Sequence, residues 1–135
     1  MPRLFRESPV NAIWEGSGNV QCLDVLRVLA REPETLEAYF GELAEASREQ
    51  RDLARHAAAL REDLAGDEDL ECRARDLVDR MALGLQAALL VRHAPSWVAD
   101  AFCRSRLEAR GHHQYGTLPS GVEFRRIIER AMPRL

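Results

Sequence analysis

The sequence predicts an all-α protein, an antiparallel bundle of about five to six helices behind an N-terminal loop segment. Three observations lead there. Ala, Leu, Glu and Arg dominate the composition, while aromatics make up only 6%. Apolar residues recur at i, i+3, i+4 and i+7 in several windows, the spacing of one helix face. No window shows the apolar–polar alternation of a half-buried strand. The 135 residues are 46% apolar and 30% charged, the balance of one domain that buries a core without disulfides or metal. That length excludes a large multi-domain enzyme within this chain alone.

The elements follow in order. Residues 1–18 hold Pro2, Pro9, Gly16 and Gly18. They allow a short helix around Leu4–Glu7 and extended or looped backbone elsewhere. A first main helix spans about Asn19–Arg31, with Asn19 as cap and Pro33 as stop. A second starts at Pro33, where Leu36, Tyr39, Phe40 and Leu43 share a face. A third, about Arg48–Ala65, lines up Leu53, Ala57, Leu60 and Leu64. Nothing forces a break between the two, and Gly66 stops the third.

The fourth and longest helix is expected over about Asp67–His93. Asp69–Arg73, Glu71–Arg75 and Asp76–Arg80 are acid-first i, i+4 pairs, each contributing about 0.2–0.5 kcal/mol. They imply an exposed first half, while Met81–Val91 reads as buried, with Gly84 permitting close helix approach. Pro95-Ser96 is a break and a cap before a fifth helix, about Trp97–Arg110. A Gly- and His-containing loop over 111–121 leads to a final helix with Phe124, Ile127, Ile128 and Ala131 on one side.

Charge is unevenly divided. Residues 1–79 carry 10 Arg against 18 acids, net −8; residues 80–135 carry 9 Arg against 4 acids, net +5. Every basic residue is Arg, a side chain suited to bidentate pairing with carboxylate or phosphate. The C-terminal Arg104, Arg106, Arg110, Arg125, Arg126 and Arg130 are candidates for double-stranded DNA contact by phosphate neutralisation. By charge pattern alone the last helix reads instead as a mixed solvated face, because Glu123 and Glu129 lie among its arginines. No recognition-helix or stacking pattern supports base reading.

Cys22, Cys72 and Cys103 lack C-x-x-C spacing and read as buried inert thiols of a reducing compartment. His112-His113, His93 and Cys103 lack metal-ligand spacing, so no metal is expected. His56, in a charged helix, reads as a surface residue. The apolar run at Met81–Val91 is broken by Gln86, well short of a membrane span, and the start has no signal-peptide core. A cytoplasmic protein without a membrane segment is the expectation.

The most unusual stretch is Arg3-Leu4-Phe5-Arg6-Glu7-Ser8-Pro9-Val10-Asn11-Ala12-Ile13-Trp14-Glu15-Gly16-Ser17-Gly18-Asn19. A carboxylate follows two large apolar residues and precedes a Gly-Ser-Gly turn. Beside an apolar pocket Glu15 would have its charged form disfavoured and could serve as a base. Gly16 and Gly18 would let backbone amides approach a phosphate or cofactor. Taken by spacing alone, a glutamate before a glycine turn reads as solvated.

This stretch resembles the C-terminal helical domain of acyl-CoA dehydrogenases, where an Ile-aromatic-Glu-Gly-Thr/Ser motif lies at the flavin. Trp14, Ser17-Gly18-Asn19 and Cys22-Leu23-Asp24-Val25-Leu26-Arg27 are similar to the AidB-type, adaptive-response branch. So are Phe102-Cys103, Arg106-Leu107, Tyr115-Gly116-Thr117-Leu118-Pro119 and Ile127-Ile128-Glu129-Arg130-Ala131. No motif is matched between Pro33 and Asp79.

The resemblance implies that Glu15 falls on the family's catalytic base and that Trp14, Gly16 and Ser17 lie at the FAD site of a longer parent. It implies tetrameric assembly and double-stranded DNA binding in that parent. It makes residues 1–18 a segment facing the flavin site and residues 19–135 a C-terminal bundle domain. The parent's N-terminal helical domain and β-domain are then partners of this chain. Alone, the chain is expected to be flavin-free and inactive, because the chemistry belongs largely to the cofactor. A stand-alone helical interaction module is the other reading.

Overall fold

The computed structural model describes residues 2–14, 18–66, 69–108, 114, 116 and 118–133. Among these residues the fold is all-α, without a strand. The helices are α1 (Pro2–Glu7), α2 (Gly18–Arg31), α3 (Pro33–Ser47), α4 (Arg51–Ala65), α5 (Ala74–His93), α6 (Ser96–Arg106) and α7 (Phe124–Ala131), with a 3-10 helix at Ser8–Ala12. The short α1 is what takes the number past six.

Helix α5 is the axis, packing against α2, α3, α4 and α6. The core is built from Phe40, Leu43, Ala46, Leu53, Leu60, Leu77, Ala87, Ala88 and Cys103. The i, i+3, i+4, i+7 faces of α3 and α4 supply its larger side chains, so the apolar pattern locates the core directly. Helix α2 has one buried residue, Cys22. Its outer side leaves Val20, Leu23 and Val28 in solvent.

Several boundaries differ from expectation, each for a local reason. Ser8–Ala12 coils as a 3-10 helix rather than extended backbone, because Pro9 sits in its first turn where no N–H is needed. Asn19 lies one residue inside α2 rather than at its cap. Helices α3 and α4 are separate. Gln50 is extended (φ −133°, ψ 106°) and its side-chain oxygen accepts from the Asp52 N–H. Its amide also donates to Asp100 at 3.0 Å, tying this corner to α6.

Helix α5 begins at Ala74, not near Asp67. Asp69 takes a left-handed conformation, φ 57°, which a short polar residue tolerates. Arg73 turns away to Asp63, 2.7 Å off, and Arg75 to Asn19, so only Asp76–Arg80 of the three expected pairs forms, at 3.5 Å. The same turn leaves Cys72 exposed, against the buried thiol expected; Cys22 and Cys103 are buried. The second half of α5 is central, with Leu83, Gly84, Ala87 and Ala88 buried, while Leu85 and Leu89 reach solvent.

Helix α6 starts after Pro95, with no cap from the Ser96 side chain, and ends at Arg106. There the Glu108 N–H reaches back to the Cys103 carbonyl, a closure typical of helix C-termini.

Candidate functional site

The segment leading into α2 presents its apolar residues outward. Phe5 is 79% exposed, Ile13 73% and Trp14 64%. Arg3 pairs with Glu7 at 2.9 Å, and Trp14 is anchored through its carbonyl, which accepts from Gln21 at 3.1 Å. The Trp14 ring therefore lies free at the mouth of the segment. Glu15, Gly16 and Ser17 lie outside the described residues.

At the start of α2 the structure brings in a residue that spacing could not find. Arg75 of α5 donates from Nη1 to Asn19 Oδ1 at 3.1 Å, across 56 positions. A Cβ on Gly18 would stand 2.8 Å from that same nitrogen. A larger residue at Gly18 would push that guanidinium aside, a small shift for the flexible end of a long side chain.

A second polar cluster lies where α3, α4 and α5 meet. Tyr39 Oη donates to the Met81 carbonyl at 2.9 Å, and His56 Nε2 meets the Arg80 carbonyl at 2.8 Å. A carbonyl only accepts, so Nε2 carries the proton. His56 is half-buried, not at the surface as its charged helix suggests. Next to it Asp63 bridges Arg73 at 2.7 Å and Arg80 at 2.6 Å. These two arginines hold its carboxyl below its usual range, chiefly through their hydrogen bonds. Burial pushes the Tyr39 phenol up, keeping it a neutral donor, and pushes the Cys103 thiol up to about 12, so that thiol is unreactive. A groove of about 540 Å³ runs between α2 and α3, walled by Val25, Val28, Leu29 and Tyr39.

Burial also lowers the His56 pKa from its ordinary 6.5, opposed in part by the bond to Arg80. A depressed folded pKa contributes stability that is complete above 6.5 and is lost as pH falls through the folded value. Unfolding by denaturant should therefore show stability falling between about pH 7 and pH 5 in wild type. That slope should flatten in His56→Gln. An identical slope in both proteins would assign the acid response to other groups.

The arginines proposed for phosphate contact do not form one open face. Arg104 is exposed and donates to the Ser120 carbonyl at 3.0 Å, and Arg106 is half-buried. Arg110 lies outside the described residues. Arg126 stacks over the Trp97 ring, 4.5 Å to its centre, and pairs with Glu123 at 2.8 Å. Arg126, Glu129, Arg130 and Trp97 line an open groove of about 330 Å³, and the three α7 residues remain exposed. Arg125 is exposed. Among the described residues no three His, Cys, Asp or Glu gather for a metal, and His112-His113 lie outside them. Among them, too, no helix is long and apolar enough to cross a membrane.

Likeness in sequence to one relative shows that the chain belongs to the AidB-like branch of the acyl-CoA dehydrogenase superfamily. It is 35% identical over 111 residues to the acyl-CoA dehydrogenase-like protein AidB of Escherichia coli (strain K12), matching that protein's C-terminal region. The match covers 82% of this chain, which spans 20% of that relative's length. No family model matches the chain, and no solved structure does.

Proposed function

We propose that this chain acts as the C-terminal helical domain of an AidB-like flavoprotein, serving its assembly and completing its flavin site. The observation that carries the reading is the 35% identity over 82% of the chain to the C-terminal region of AidB. The outward Phe5, Ile13 and Trp14 support it: apolar groups this exposed are surfaces for docking, here against preceding domains. An exposed indole also fits the flank of a flat ring system.

Trp14, Gly16 and Ser17 would hold the flavin, and Glu15 would take the α-proton of an acyl thioester. FAD, when bound, supplies the acceptor for the hydride that leaves the β-carbon. Both losses are needed to form the double bond, so the isolated chain is flavin-free and silent. Assembly is favoured over duplex contact for α7, because Arg126 there stacks on Trp97 and pairs with Glu123.

Glu15→Gln in the full-length parent tests the chemistry. The variant should retain FAD, read by flavin absorbance. Acyl-CoA oxidation should fall by about 10²–10⁴-fold, the usual contribution of a positioned base. Unchanged turnover on every oxidised acyl-CoA would remove Glu15 from this role.

A further inference from the structure

Helix α7 touches the bundle through Arg126, which stacks on Trp97. Ile127 is half-buried, while the rest of its apolar side faces solvent. Phe124 is 48% exposed, Ile128 61% and Met132 62%, at i, i+4 and i+8. A helix this segregated normally turns its apolar side to the core.

We propose that this stripe pairs with the same helix of a second copy, antiparallel, about a two-fold axis level with residue 127, midway between Arg125 and Glu129. The argument is charge complementarity. At 100° per residue, Arg125 and Glu129 lie together along one edge of the stripe. Neither forms an ion pair with a described residue. A two-fold axis places each edge against its own copy, so Arg125 meets Glu129 of the second copy, and Glu129 meets its Arg125. Two reciprocal pairs then flank one apolar seam.

An anionic lipid surface fits less well. Glu123 and Glu129 stand among the arginines of this helix, and acidic groups are repelled by anionic headgroups.

The pairing rests on the assembly role proposed above and names its surface. An eight-residue helix pair buries less than the roughly 1,200–2,000 Å² of a stable interface. It should therefore be weak in the isolated chain and reinforced where other contacts hold the copies together.

Sedimentation equilibrium over a concentration series tests it, with helicity by circular dichroism as the folding control. Wild type should show a monomer–dimer equilibrium. Arg125→Glu and Glu129→Arg should each raise the dissociation constant about tenfold, because like charges then face each other. Mixing the two variants should restore pairing to near wild-type strength, since one copy then presents two Glu and the other two Arg. Both substitutions are at the surface and should leave the fold intact. A strictly monomeric chain, equal association of all variants, or a mixture no better than its parts would overturn the pairing. So would a monomer that binds phosphatidylserine vesicles through Ile128. If the full-length parent assembles while the charge swaps change nothing, only this surface fails. A monomeric parent would overturn the assembly role itself.

Discussion

Replacing Leu77 by alanine is expected to destabilise the chain by about 4 kcal/mol, toward the upper part of the range for buried leucines. Leu77 has no exposed surface. It lies on α5, which packs on α2, α3, α4 and α6, so no single neighbour is free to collapse into the space. The cost combines lost transfer energy with an unfilled cavity. Against a total stability of about 5–15 kcal/mol, a single such change removes a large fraction. Leu85, on the same helix but 38% exposed, provides the comparison: Leu85→Ala should cost less than about 1 kcal/mol. Urea unfolding would show the Leu77 midpoint shifted and its slope retained. Similar losses for both variants would mean that α5 is not the axis of the core.

The faces of α3 and α4 were legible because one physical rule governs them. Leu36, Tyr39, Phe40 and Leu43, then Leu53, Ala57, Leu60 and Leu64, obey helical spacing and point where that spacing says. The start of α5 was not legible, because its determinants are tertiary. Asp69–Arg73 and Glu71–Arg75 have the right spacing for pairs within a helix. Asp63, at the end of α4, competes for Arg73, and Asn19, on α2, competes for Arg75. Local pairs worth tenths of a kcal/mol do not outweigh a turn stabilised by such contacts. For α7 the spacing correctly groups Phe124, Ile128 and the residues beside them. Which way that group faces is set by Arg126 on Trp97, a contact between distant parts of the chain.

The site shows the same division. Ile13-Trp14-Glu15-Gly16-Ser17 carried the resemblance to acyl-CoA dehydrogenases, and the likeness to AidB supports that family. Arg75 had no signal in sequence, since its partners are Gly18 and Asn19 on another helix. His56 sits among Arg55, Arg61 and Glu62, which suggests a solvated face. The imidazole belongs to the opposite side of α4, and only the helix-to-helix geometry puts the Arg80 carbonyl within its reach. A buried polar contact of this kind is invisible to periodicity, which sorts residues by type.

Gly84→Leu should cost about 3 kcal/mol, the upper end for overpacking a tight site. A Cβ at this position would be 2.8 Å from Tyr39 Oη, 3.2 Å from Leu43 Cδ2 and 3.4 Å from His56 Cδ2. Three helices converge there, and the closest atom is a hydroxyl already bonded to the Met81 carbonyl. Even alanine must displace that hydroxyl, which offsets the roughly 1 kcal/mol gained by removing glycine from a helix interior. A double-mutant cycle separates the two effects. Tyr39→Phe removes the blocking oxygen, so Gly84→Ala should be near neutral or stabilising in that background and destabilising in wild type. The coupling should be about 1 kcal/mol, in the range for residues in contact. Additive effects would mean that the backbone, not the Tyr39 hydroxyl, sets the need for glycine at this crossing.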